Sequence, residues 1–274
     1  MQESNITRVS DQLRKPENWT EPPEPLPGSC PSCNGVIHPQ FIEPVFWSGR
    51  PAFGTGRWAF PSLCSACETE KKVEAQKAKA EQEAKERSRK IQQLTATAGF
   101  SKAHEHMTLE TFDPLFCIEA FARIQKGWEA GENIFIAGPP GTGKTHIAVG
   151  LLKLFIGQKA ERGVFRIVPE LMIELRRAIK DRRDDELLDE ISSAQALVLD
   201  DLGVERPTPM VLEGLYLLID RWYRNKKSHL VITSNNDIEQ LSKHLEDRLA
   251  SRIIGMCRPF KLQGEDRRLE ASRA

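Results

Sequence analysis

The chain has no net charge to offer a partner: 39 Lys and Arg offset 39 Asp and Glu. Bulk electrostatics therefore do not announce nucleic acid, and any such surface must be local. No apolar run approaches the roughly 20 residues that a membrane-spanning helix needs. The opening, Met1 to Thr20, lacks the basic and then apolar pattern of a secretory signal. A cytoplasmic location is expected, where thiols stay reduced, so the six cysteines are not expected to form disulfides. Apolar residues make up 39% of the chain, mostly in its second half. That supplies one full domain, and 274 residues leave room for a smaller module beside it.

What is present centres on Asn133 to His146. Ile134 to Ala137 is a short apolar run, predicted as a strand buried on both faces. Gly138-Pro139-Pro140-Gly141-Thr142-Gly143-Lys144-Thr145 then fits G-x-x-x-x-G-K-[ST], and Ile147 to Phe155 is predicted to be the helix that follows. Strand, glycine loop and helix in that order make a phosphate cradle. Backbone N–H groups point inward, the helix N-terminus adds partial positive charge, Lys144 reaches the β/γ-phosphates and Thr145 offers a hydroxyl to Mg²⁺. Gly138 through His146 is the expected nucleotide contact.

About 55 residues downstream, Ala196 to Leu199 forms a second apolar strand ending in Asp200 and Asp201. That puts Asp200 where phosphate-bound Mg²⁺ needs an oxygen ligand, direct or through a bound water, and Asp201 where it can orient or deprotonate the attacking water. A third strand, Leu230 to Ser234, carries Asn235 at its tip, where a γ-phosphate or water is in reach. Further strands are predicted over Val164 to Val168 and Arg258 to Leu262. Helices are predicted over Leu115 to Trp128, Pro169 to Lys180, Leu187 to Ile191, Met210 to Arg224 and from Glu246. Lys180 to Glu186 is expected as a solvated turn. Arg248 and Arg252 fall one turn apart on one helix face, and arginines that stabilise phosphoryl transfer can come from a neighbouring molecule.

The first third differs in kind. Residues 1–29 are polar and proline-punctuated and are expected to be a disordered tail. Cys30-Pro-Ser-Cys33 and Cys64-Ser-Ala-Cys67 are two C-x-x-C knuckles that suit a closed tetrahedral Zn²⁺, so 30–67 is predicted to be a zinc-binding module. Between them Phe41, Trp47, Phe53 and Trp58, broken by glycines, suggest short strands, with Trp47, Arg50, Arg57 and Trp58 open to a stacking role or to a mini-core. Residues 68–96 are almost all charged or helix-forming, with Glu81/Lys85, Glu83/Arg87 and Glu86/Lys90 as i,i+4 pairs. They are expected to be a charged helical linker whose solvated helix, Glu68 to Lys90, is about 35 Å long, leaving 97–274 for the nucleotide-binding domain.

Taken together, these motifs resemble the AAA+ ATPases, and within them the DnaC/DnaI-type replicative-helicase loaders and their IstB-like relatives. The resemblance rests on Gly-Pro-Pro-Gly-Thr-Gly-Lys-Thr, Leu-Asp-Asp-Leu-Gly, Thr-Ser-Asn, Arg-Leu-Ala-Ser-Arg-Ile and Gly-Glu-Asp-Arg-Arg, over roughly residues 97 to 270. It implies a three-layer α/β sandwich with a parallel sheet ordered 5-1-4-3-2. It implies Asn235 as first sensor, Arg252 as a finger reaching a neighbour's nucleotide, and Arg268, ahead of Arg267, as second sensor. It also implies an ATPase that uses ATP and Mg²⁺, a hexameric replicative helicase and single-stranded DNA as partners, and self-association through Arg252. The cysteine module resembles the zinc-containing helicase-binding domain of DnaI-type and phage loaders. Two departures are visible. Asp201 stands where most AAA+ proteins carry Glu, and the chain after Arg252 is too short for a full helical lid, so a truncated lid is expected. The alternatives are an IstB-like transposition helper on duplex DNA and a nucleotide-binding adaptor with little hydrolysis. A GTPase is disfavoured because Asn225-Lys-Lys-Ser228 lacks the Asp that reads guanine, and Gly141 to His146 is not the G-x-G-x-x-G of a dinucleotide fold.

Overall fold

The structure is a computed structural model. It describes residues 19–266 apart from 44, 48–49, 54–56, 115–116, 204–207, 226–228, 245–246 and 265, with backbone alone at 45–47, 50–53, 211, 242–244 and 247. The chain divides into two units, Met1–Ala84 and Lys85–Ala274.

In the first unit β1 (Gly28–Ser29) pairs antiparallel with β2 (Val36–Ile37), Gly28 opposite Ile37. Gly28 and Ser29, expected within the tail, are thus already part of the module. Trp19 also packs on Phe41, with ring centroids 5.9 Å apart. The turn between β1 and β2 carries Cys30 and Cys33 and closes through Cys30 N–H to Gly35 O (2.7 Å). β3 (Gln40–Ile42) pairs with β6 (Arg57–Ala59), and β4 (Val45–Trp47) with β5 (Arg50–Phe53). Trp58 stacks on Phe41 at 5.2 Å and donates its Nε1–H to Pro22 O at 2.8 Å, so it builds the mini-core rather than standing free. The side chains of Trp47 and Arg50 lie outside the described residues. Among the described residues, the unit's buried apolar group is Cys30, Ile37 and Cys67 with Leu63 and Cys64 against it. Among those residues that is little apolar area to hold a fold of this size, and a metal would add a further link.

α1 (Ser65–Thr97) is one helix of 33 residues, about 50 Å at 1.5 Å per residue. It is longer than the expected linker because it starts inside the second knuckle and takes in Cys67. Glu83 pairs with Lys79 (3.8 Å), and Arg87 donates to Gln158 O (2.5 Å), in place of the expected Glu83–Arg87 pair.

The second unit is built on a five-stranded parallel sheet. Its strands are β7 (Asn133–Ala137), β8 (Gly163–Ile167), β9 (Ala196–Asp200), β10 (Leu230–Ser234) and β11 (Cys257–Lys261), in the spatial order β11-β7-β10-β9-β8. In order along this domain that is 5-1-4-3-2, the order the resemblance implies. The period-two alternation of strands divides the core in two. Ile134 and Ile136 of β7, Ala196 and Val198 of β9 and Val231 of β10 face one cluster, whereas Phe135, Ala137, Leu197, Leu199, Leu230 and Ile232 face the other. Both faces are covered, which is why these strands read as unbroken apolar runs. β11 is one edge of the sheet; Pro259, which has no N–H to give, is tolerated there.

Helices α2 (Ile118–Glu129) and α3 (Lys144–Lys159) contribute to the first cluster. α4 (Val168–Lys180), α5 (Asp184–Ser192), α6 (Pro209–Arg224) and α8 (Asp247–Met256) build the second. α7 (Ile238–His244) begins after Asp237, whose Oδ1 accepts from Gln240 N–H (3.0 Å) while Gln240 Oε1 accepts from Asp237 N–H (3.1 Å). That is a reciprocal N-cap. α2 starts at Ile118, three residues later than expected. Part of the expected turn, Asp184 to Glu186, is instead the acidic first turn of α5, favoured by the helix dipole. No helix among the described residues is long and apolar enough to cross a membrane.

Candidate nucleotide site and cysteine cluster

The glycine loop leaves the C-terminal end of β7 and turns into α3. Gly141 and Gly143 adopt φ of 77° and 89°, the left-handed region that glycine enters without strain. A Cβ at Gly143 would lie 2.5 Å from the Phe112 ring, so close packing enforces glycine there as well. Lys144 is buried and its Nζ donates to Gly138 O (2.9 Å) and Pro139 O (2.8 Å), folding the ammonium over its own loop. Thr142 Oγ1 donates to Pro139 O at 2.9 Å.

Thr145 begins the connection to β9. Its hydroxyl donates to Asp200 at 3.1 and 3.0 Å, on the two carboxylate oxygens. Asp200 is buried, and Thr233 Oγ1 donates to its Oδ1 at 2.6 Å while accepting the Asp201 N–H at 3.0 Å. Burial pushes the Asp200 carboxyl above its ordinary value; the Thr233 hydrogen bond opposes this, and the Asp201 charge adds to it. Asp201 itself sits at φ 61°, a left-handed position where short polar side chains are tolerated. Next to it Ser234 Oγ donates to Leu202 O (2.7 Å), stitching the tip of β10 to the turn after β9.

A cleft of about 340 Å³ gathers these groups: Gly141, Lys144, Thr145, Asp201 and Asn235 line it from the sheet side. The opposite wall is formed by Met107, Thr111, Phe112 and Asp113. This segment lies along α3: a Cβ at Gly150 would meet Leu109 at 2.7 Å. His146 also lines the cleft but is turned to this wall, with Nε2 2.9 Å from Thr108 O and 3.1 Å from Thr111 Oγ1, its ring 5.4 Å from Phe112. Thr233 and the 107–113 wall are the members that sequence reasoning did not assign. Thr-Ser-Asn is the only local sign of the first, and the second is a tertiary contact with none.

Arg252 is not brought to this cleft. It lines a separate one, of about 510 Å³, with Tyr216, Tyr223, Arg248, Ser251 and Gly255. Arg267 and Arg268 lie outside the described residues.

In the first unit the four thiols of Cys30, Cys33, Cys64 and Cys67 all lie within 4.8 Å of one another. Cys64 N–H points at Cys30 Sγ and Gly35 N–H at Cys33 Sγ, each at 3.4 Å. The Cys64 N–H above all brings Cys30 down to about 6, whereas the neighbouring thiols of Cys33 and Cys64 push Cys67 up to about 12. Four sulfurs gathered this closely cannot all ionise without a cation among them. The all-sulfur donor set, with backbone N–H groups directed at sulfur, fits a structural Zn²⁺.

Comparison with known proteins agrees with this architecture. The insertion sequence IS21 putative ATP-binding protein of Pseudomonas aeruginosa is 29% identical over 154 residues, 53% of this chain and 56% of that protein. The replicative helicase loader DnaI of Bacillus subtilis (strain 168) is 25% identical over 150 residues, 50% and 48% of the two chains. The chain thus spans about half the length of these curated relatives. Among solved structures, the DnaC helicase loader superposes with a TM-score of 0.54 at 26% identity, over 60% of this chain and all of that one. DnaI gives 0.54 at 22% identity, over 60% and 95%, a likeness of fold. A P-loop AAA+ domain that binds ATP is what this kinship carries. The model of the family described as IstB-like ATP binding protein matches residues 68–274, and the chain belongs to that family.

Proposed function

We propose that this chain is an ATP-controlled loader that delivers a hexameric replicative helicase to single-stranded DNA. The observation that carries the choice within the family is the cysteine cluster: Cys30 to Cys67 stands outside the family-matched region, ahead of it. A metal-held module fused to the ATPase is what a loader needs to grip a second protein. The division proposed is a tail, a zinc module to Cys67, the α1 linker and an ATPase domain from residue 97.

In this proposal Gly138 to His146 hold ATP, and Lys144 leaves its own loop carbonyls for the β/γ-phosphates. Thr145 and Asp200, already joined by hydrogen bonds, take Mg²⁺, which supplies charge neutralisation of the phosphates. Asp201 orients or deprotonates the attacking water and Asn235 senses the γ-phosphate; their place on one cleft with Lys144 supports both roles. Arg252, on another cleft, serves the nucleotide of a neighbouring copy, and Arg268 acts as second sensor. Hydrolysis is part of the proposal, at a rate limited by the short reach of Asp201.

Co-migration with a hexameric replicative helicase, together with ATPase activity raised by single-stranded DNA, is the expected result. Deleting Cys30 to Cys67 should abolish co-migration and leave nucleotide binding. Unchanged recruitment after that deletion would sink the module's role. A second function, a transposition helper on duplex DNA, is favoured by the IS21 relative at 29% identity. ATP-dependent assembly on duplex DNA without helicase association would select it.

A further inference from the structure

Arg252 does not stand as a loose surface side chain. Its guanidinium carbon lies 4.6 Å from the centroid of the Tyr223 ring, and its Nη2 is 3.1 Å from Asp220 Oδ1. The Tyr216 side chain lines the same cleft. Tyr216, Asp220 and Tyr223 follow one another on α6 at spacings of four and three, so all three present to one helix face. Asp220 is only 7% exposed, and a buried carboxylate needs a cation beside it. Its Oδ2 already has one from its own helix, Arg224 Nε at 2.7 Å. The second cation, Arg252, comes across from α8. Neutralising Asp220 does not require it, so the contact is better understood from the side of the arginine. Tyr223 is 44% exposed, and the Arg252 guanidinium covers a face of its ring. The Arg252 side chain keeps 37% of its surface open beside the second cleft. A guanidinium carries five N–H donors in a rigid fork, more than these partners take.

We propose that Asp220 and Tyr223 are positioning residues for Arg252, which hold its guanidinium at the cleft for the nucleotide phosphates of a second copy of this chain. This rests on the proposal that Arg252 acts between subunits. A free arginine must surrender several rotatable bonds when it engages a transition state, whereas a stacked and ion-paired one has surrendered them beforehand. The ion pair is not an aligned hydrogen bond, so its geometry leaves room to tighten around a phosphate.

The test uses the full chain and mixtures of two variants. Lys144→Ala subunits have a disabled nucleotide site and an intact arginine; Arg252→Ala subunits have the converse. If Arg252 acts between subunits, each is slow alone, and mixing restores turnover at the Arg252→Ala sites. Asp220→Asn is expected to behave as a weak copy of Arg252→Ala. Its kcat should fall about three- to tenfold with KM and ATP affinity unchanged, and Lys144→Ala subunits should rescue it. Tyr223→Phe, which keeps the ring face, should retain wild-type kcat, and Tyr223→Leu should lose about as much as Asp220→Asn. Rescue also excludes simple misfolding, because a misfolded subunit has no site to restore. If mixing restores Arg252→Ala but not a folded Asp220→Asn or Tyr223→Leu, the positioning role is overturned while the inter-subunit arginine stands. If mixing fails for Arg252→Ala as well, both fall.

Discussion

Thr233→Val isolates the polar joint beneath the candidate nucleotide site. Thr233 is fully buried, and its hydroxyl makes two bonds: it donates to Asp200 Oδ1 at 2.6 Å and accepts the Asp201 N–H at 3.0 Å. Valine has nearly the same volume, so no cavity opens. What is lost is a hydrogen bond to a buried carboxylate, about 1.5–3 kcal/mol, and a partner for the Asp201 amide, about 1 kcal/mol because Asp201 is partly open to water. A total near 3 kcal/mol lowers Tm by roughly 6–12 °C for a domain of this size. Thr233→Ser keeps the hydroxyl and loses one methyl, about 1 kcal/mol. The order expected in thermal or urea unfolding without nucleotide is threonine, serine, valine. Burial of apolar surface alone predicts valine above serine, and a valine variant as stable as serine would refute the account. Valine should also demand more Mg²⁺ for nucleotide binding, because Asp200 loses the neighbour that most favours its charged form.

Three more expectations follow from the same geometry. Cys67→Ser or stripping with a strong chelator should release bound zinc, detected with a colorimetric indicator, and unfold the strands of the first unit while the sheet of the second stays folded. Retention of the first unit's structure after metal loss would contradict the small size of its apolar group. Gly141→Ala should abolish nucleotide binding by titration: φ is 77°, and the added Cβ would run into the Asp266 carboxylate and lie 2.7 Å from Asp266 Cα. Nucleotide affinity within twofold of wild type would show that this approach is not enforced. Burial, then the Lys153 charge, hold the His104 pKa below 6.5, so the unfolded chain binds the proton more tightly. Stability should therefore fall as pH drops from about 6.5 through the folded pKa, and His104→Gln should flatten that part of the profile; an unchanged profile would exclude the group.

The glycine loop, the two apolar strands with Asp200 and Asn235 at their ends, and the paired knuckles were all legible, because each is encoded by neighbours in sequence. Strand order was legible only through the resemblance, since nothing local in Val231 or Ile134 says that they pair. The rest depended on distance along the chain. Thr233 lies 33 residues from the carboxylate that it supports. The wall at Thr108 to Phe112 is set by packing on α3, and nothing within the segment announces it. α5 differs in kind: Asp184, Asp185 and Glu186 are a helix-start signal, although as a charge run they also fit a solvated turn. Likewise a boundary at residue 67 does not divide two elements, because Cys67 is both a knuckle cysteine and part of α1.

Lys144 has a bearing on how its removal is interpreted. Its ammonium donates to the carbonyls of Gly138 and Pro139. Phosphate therefore does not meet a vacant cation; it competes with two internal acceptors for it, and measured affinity reports the difference between two bonded states. Substituting Lys144 accordingly alters both sides of that competition, loosening the unliganded loop as well as weakening the liganded one. An apparent affinity loss in such a variant is smaller than the full strength of the lysine–phosphate contact, and a calorimetric enthalpy near zero for wild-type binding is compatible with a strong one.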